Sequence, residues 1–104
     1  MNPYFLMFNY QPLTTAWSDL SIADRFGEKG VKETYSMLFL NLNSNYKELT
    51  ELVMCLNHKI WQHHENNRKL AELYNQLWRM AEKKFWELYE NDNEACQYFL
   101  ATTD

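Results

Sequence analysis

Two long segments carry hydrophobic residues at steps of three and four, the spacing that forms one face of an α-helix. In residues 46–64 these are Tyr46, Leu49, Val53, Leu56 and Ile60. In residues 68–90 they are Leu70, Leu73, Leu77, Ala81, Phe85 and Leu88, a stripe further widened by Ala71, Tyr74, Trp78 and Tyr89. We predict two helices, packed antiparallel because only Glu65–Asn67 connects them. The wide stripe of the second helix predicts either a central position in a bundle or an oligomer interface.

Weaker patterns complete the chain. They predict helices at about 15–26, 28–42 and 92–101, and an extended arm over 1–13, where Pro3 and Pro12 bracket apolar residues without helical spacing. Asn45 and Glu48 form a near capping box before the first long helix, and Asn91 with Glu94 is a candidate cap for the last one. Within 28–42, opposite charges at i,i+4 favour a helix despite Gly30.

Length and composition set the fold class. The chain has 104 residues, room for one core, and only two glycines and two prolines, too few for the many tight turns of a β-sandwich or barrel. We predict a single all-α domain over 1–104, a bundle of four to five helices with an extended N-terminal arm.

Charge disfavours nucleic acid as a partner. The net charge is −4, spread along the chain without a basic stripe. An accessory protein that binds nucleic acid stays open as an alternative function, and its phosphate contacts would be Lys59, Arg68, Lys69, Arg79, Lys83 and Lys84.

We predict no membrane-spanning segment and no export signal. No stretch approaches the roughly 20 apolar residues that span a bilayer, and the run Tyr4–Phe8 is too short for the core of a signal peptide. Because Cys55 and Cys96 lack a dense disulfide framework, we predict reduced thiols and a cytoplasmic protein.

Candidate chemistry is sparse. Cys55 and His58 share a helix face and could donate two zinc ligands, but no further pair is evident, since His63 and His64 point elsewhere on a helix. We predict no metal, no cofactor, no catalytic residue and no small-molecule substrate. A small metal- or thiol-dependent enzyme centred on Cys55, His58 and His63 is the least favoured alternative.

Aromatic residues are the most distinctive feature. Four Trp, seven Tyr and six Phe are many for 104 residues, so some are expected at the surface, where they favour partner contacts. The alternative is that they build an aromatic core. We predict a non-enzymatic protein-interaction module that binds a protein partner or a second copy of itself as a homodimer. Its predicted interaction face consists of Trp61, Tyr74, Trp78, Trp86 and Tyr89.

Four stretches carry a family resemblance. They are residues 5–12 (FLMFNYQP), 49–53 (LTELV), 56–61 (LNHKIW) and 70–75 (LAELYN). With these the chain resembles short uncharacterised proteins of Bacteroidetes-type bacteria, often encoded near mobile or conjugative elements. The resemblance implies a bacterial, cytoplasmic setting and an accessory role in mobile-element biology, and it brings no catalytic residues.

Overall fold

The computed structural model describes residues 14–103, which form an all-α bundle, so the predicted fold class is confirmed. The predicted arm over 1–13 lies outside the described residues. The helices are α1 (Thr14–Ala23), a short 3-10 helix (Asp24–Phe26), α2 (Gly27–Leu42), α3 (Tyr46–His63), α4 (Arg68–Tyr89) and α5 (Asn93–Thr103). No helix in this part of the chain is both long and apolar enough to cross a membrane.

Helices α3 and α4 form an antiparallel hairpin and share the most extensive packing in the bundle. Each helix is preceded by an N-cap asparagine, whose side-chain oxygen accepts a hydrogen bond from a backbone N–H group of the first turn. Asn45 Oδ1 accepts from Lys47 N at 2.9 Å, and Asn67 Oδ1 accepts from Leu70 N at 3.2 Å. The predicted cap at Asn45 is thus present. At α5 the cap is Asp92, which accepts from Ala95 N, and not the predicted Asn91.

Helix α3 is the centre of the bundle. It contacts every other α-helix that the structure describes, and all residues from 49 to 56 are buried. For α4, the wide apolar face predicted either a central position in the bundle or an oligomer interface. That width is used inside the molecule, since Ala71 and Tyr74 are buried beside the main stripe, and only Leu88 of the stripe is exposed.

The two glycines shape the corner between α1 and α2. Gly27 has φ 75° and ψ −160°, a backbone conformation that essentially only glycine adopts. A Cβ atom on Gly30 would lie 2.7 Å from Phe26 Cβ and 3.1 Å from the Ala23 carbonyl oxygen. Gly30 therefore lets α2 approach the 3-10 helix closely. The charges expected to pair along α2, Glu28 with Lys32 among them, do not form ion pairs within this helix.

Replacing Gly30 with alanine tests this close approach. Alanine ordinarily stabilises a helix by about 1 kcal/mol relative to glycine. Here we expect Gly30→Ala to lower the free energy of unfolding by about 1–3 kcal/mol, because the new Cβ displaces the backbone of the corner. Lys32→Ala, on the exposed side of the same helix, is the control. Urea unfolding measures both, and a stabilised Gly30→Ala variant would contradict the close approach.

Candidate functional site

The densest group of polar side chains surrounds Asp24, on the 3-10 helix. Its Oδ2 atom accepts from Lys59 Nζ at 2.9 Å and lies 2.9 Å from His63 Nε2, and its Oδ1 atom accepts from the Tyr74 hydroxyl at 2.5 Å. Lys59 Nζ also donates to Ser21 Oγ at 2.7 Å. We call Ser21, Asp24, Lys59, His63 and Tyr74 the Asp24 cluster.

Lys59 lies completely inside the protein, with a side-chain exposure of 0%. Burial lowers the pKa of its ammonium group, and the hydrogen bond and charge of Asp24 act in the opposite direction. The indole of Trp17 adds a cation–π contact, with Nζ 4.4 Å from the ring centroid. A charge that would be costly alone is therefore surrounded by an anion, a hydroxyl and a ring face.

Tyr74 and His63 complete the cluster from two helices. Their rings stack at a centroid distance of 5.7 Å and an interplanar angle of 4°. Burial raises the pKa of Tyr74, and the neighbouring Asp24 carboxylate raises it further, so the phenol stays neutral and donates a hydrogen bond to Asp24. The cluster thus joins the α1–α2 corner to both helices of the hairpin.

The donors and acceptors of the Asp24 cluster are directed at one another. Asp24 is the acceptor for side chains from α3 and α4, and its own exposure is 13%. Neither of the two surface depressions described next is lined by a member of the cluster. The arrangement fits a polar latch between helices, because the polar side chains of the cluster bond to one another.

The larger depression is a groove of 580 Å³ between α1 and α2, which we call the α1–α2 groove. Its lining combines large apolar side chains with charges of both signs: Asp19, Ile22, Ala23, Phe26, Lys29, Gly30, Glu33, Thr34 and Met37. Ile22, Phe26 and Met37 are 55%, 73% and 61% exposed. Leu40, one turn beyond Met37, is 74% exposed and extends the same apolar surface.

The second depression, the tryptophan cleft, measures 280 Å³ and lies between α3, α4 and α5. It is lined by Val53, Met54, Asn57, Trp78, Glu82, Trp86, Phe99, Leu100 and Thr103. Trp86 packs edge-to-face against Phe99 with ring centroids 5.3 Å apart, which fixes one wall.

The predicted interaction face is not one surface. Trp61 is 58% exposed on α3, whereas Trp78 and Trp86 are partly buried and line the tryptophan cleft. Tyr89 is partly buried and donates a hydrogen bond to the Asn43 carbonyl oxygen at 2.7 Å. Tyr74 has an exposure of 0% and bonds to Asp24, so its inclusion in a surface was wrong. The apolar helix spacing that identified it describes core residues equally well.

The residues considered for a zinc or thiol site have different partners and do not form one site. Among the described residues, no group of three or more His, Cys, Asp and Glu side chains could hold a metal ion. His63 faces Asp24, whereas His58 packs edge-on against Trp17. Burial lowers the pKa of His58, whose buried Nδ1 has no hydrogen-bond partner in the described structure.

One of the six basic residues considered for phosphate binding is excluded by its burial. Lys59 is inside the protein and engaged by Asp24, so it cannot contact a phosphate. The other five lie exposed on α4: Arg68, Lys69, Arg79, Lys83 and Lys84.

Sequence reasoning missed the Asp24 cluster. Its one available signal was Lys59 itself, a charged residue beside the apolar stripe of α3, where an exposed position was assumed. Lys59 and His63 are four residues apart and share a helix face, which could have indicated a common acidic partner.

No family model, no curated protein and no solved structure matches the chain. The resemblance to proteins of Bacteroidetes-type bacteria stays a prediction.

Replacing Asp24 with asparagine tests the latch. We expect a loss of about 3–5 kcal/mol in the free energy of unfolding, because the buried Lys59 ammonium loses its counter-charge. The double variant Asp24→Asn/Lys59→Met should recover part of that loss, since it removes the orphaned charge. Denaturant unfolding measures both. Asp19→Asn, which removes one negative charge from the neighbouring helix α1, is the control, and an equal loss in that variant would contradict the latch.

Thiol labelling tests the chemistry of Cys55. Burial, together with the nearby Glu51 carboxylate, raises the pKa of Cys55 to about 12, although Lys59 acts to lower it. The thiolate, which is the reactive form, is therefore scarce at neutral pH. We expect an aromatic disulfide reagent to modify the partly exposed Cys96 in the native protein and Cys55 only after denaturant is added. Rapid labelling of a native Cys96→Ser variant would show that Cys55 is accessible.

Proposed function

We propose that this protein is a non-enzymatic interaction module that associates with a second copy of itself through the α1–α2 groove. The observation that carries the proposal is the grouping of exposed apolar side chains on one face. Four of the most exposed large hydrophobic residues lie on or beside this groove: Ile22, Phe26, Met37 and Leu40. Contiguous apolar patches on soluble proteins are typical of interaction sites.

A second copy fits because the groove carries both signs of charge. In a two-fold interface the same surface meets itself, so a cation at one position needs an anion nearby on the same surface. Lys29 and Glu33 line the groove one helical turn apart, and neither forms an ion pair with another described residue. Antiparallel packing of α2 against α2 of the partner would place Lys29 beside Glu33 of the partner, in both directions.

The proposal also includes a cytoplasmic location and a bacterial accessory role. Cys55 and Cys96 are free thiols, which is the usual state of cysteines in a reducing cytoplasm. A bacterial accessory role near mobile elements rests on the sequence resemblance alone.

Sedimentation equilibrium tests the self-association. We expect the wild-type protein to move, as its concentration rises from micromolar to hundreds of micromolar, from the 12.6 kDa of one chain toward twice that mass. Phe26→Glu should weaken association at least about tenfold, because it places a charge in the apolar centre of the interface. Thermal unfolding should change little, since Phe26 is 73% exposed in the single chain.

Four further variants make the test specific. Trp61→Glu alters another exposed aromatic residue, on α3, and should leave association unchanged. Lys29→Glu and Glu33→Lys should each weaken association, whereas the double exchange should restore it because opposite charges face each other again. A wild-type protein that stays monomeric throughout, or equal loss with Trp61→Glu, would refute the proposal.

A further inference from the structure

The tryptophan cleft carries a second, independent inference, because it shares no residue with the α1–α2 groove. Trp78, Glu82 and Trp86 recur every four residues and so lie along one face of α4. At 1.5 Å rise per residue, the Cα atoms of Trp78 and Trp86 lie about 12 Å apart along the helix, with that of Glu82 midway between them. All three side chains line the cleft.

Glu82 is a partly buried carboxylate without a counter-charge. It forms no ion pair or hydrogen bond with any other residue that the structure describes. No Lys, Arg or His is among the described residues that line the cleft. Apart from Asn57 and Thr103, the other described residues that line the cleft with Glu82 are apolar or aromatic.

This combination has a defined chemical preference. The faces of indole rings attract cations within about 6 Å of the ring centroid, and Trp is the strongest aromatic residue in this respect. The Glu82 carboxylate adds direct charge attraction for a cation. The apolar lining residues Val53 and Met54 suit the alkyl groups of an organic cation better than a hydrated metal ion. The net charge of −4 favours approach of cations in general.

We propose that the tryptophan cleft binds an organic ammonium group, held by Glu82 between Trp78 and Trp86. Its volume of 280 Å³ is at the small end of ligand sites, which indicates a small molecule or a single side chain. Asn57, whose side chain makes no hydrogen bond to the described residues, lies at the cleft to bind a hydroxyl or carbonyl group of the same ligand.

Titration with choline, followed by the indole N–H signals in nuclear magnetic resonance spectra, tests the proposal. The chain contains its own references, because two of its four tryptophans, Trp17 and Trp61, do not line the cleft. We expect the signals of Trp78 and Trp86 to shift with a dissociation constant in the millimolar range or below, and those of Trp17 and Trp61 to stay in place. Dimethylbutanol, the uncharged carbon isostere of choline, should bind at least about tenfold more weakly.

Variants and a second ligand define the site further. Glu82→Gln should weaken choline binding at least about tenfold, whereas Glu72→Gln, an exposed position of the same helix, should not. A short peptide with one trimethyllysine distinguishes the source of the ammonium: tighter binding than choline indicates a side chain of a partner, and weaker binding indicates a free small molecule.

Equal shifts with choline and dimethylbutanol in the wild-type protein would overturn the proposal, and this comparison requires no variant. Self-association is measured separately, so failure of one proposal leaves the other intact.

Discussion

The buried charge of Lys59 constrains how α1 and the 3-10 helix pack on the α3–α4 hairpin. An ammonium group inside a protein must be paired, or it costs several kcal/mol. Asp24 supplies the pair, and the same carboxylate is the hydrogen-bond partner of Tyr74 from α4. One carboxylate therefore fixes where the corner between α1 and α2 sits on the α3–α4 hairpin. The apolar contacts of these helices provide much of the stability, but they are less selective about register than the charged contact.

The helices could be predicted from the sequence because their signals are local. The apolar spacing of α3 and α4 and the asparagine at the start of α3 depend on residues within one or two turns of each other. The all-round burial of one stretch of α3 could not be predicted. Residues 49–56 of α3 are buried on all sides although they include Thr50 and Glu51, and such polar residues mark an exposed face in a periodicity argument.

The candidate sites were harder to predict because their residues are far apart in the sequence. Asp24 and Tyr74 are 50 residues apart in sequence, and no periodic pattern connects them. Tyr74 was identified correctly as part of an apolar face and assigned wrongly to the surface, since helical spacing shows which residues share a face but not what covers it. Trp78 and Trp86 were singled out by their residue type, yet the unpaired carboxylate of Glu82 between them becomes apparent only when the surrounding helices are in place.

The different sequence separations of these contacts also indicate an order of folding. The hairpin closes over the short connection His64–Asn67, whereas Asp24 reaches Lys59 across 35 residues and Tyr74 across 50. Chain entropy makes long closures slower than short ones, so α3 and α4 should pair before the first two helices dock. Local opening of the native state should follow the opposite order to folding. Amide protons of α1 and α2 should exchange with solvent through openings that leave the hairpin intact, giving the native state an early-opening and a late-opening half.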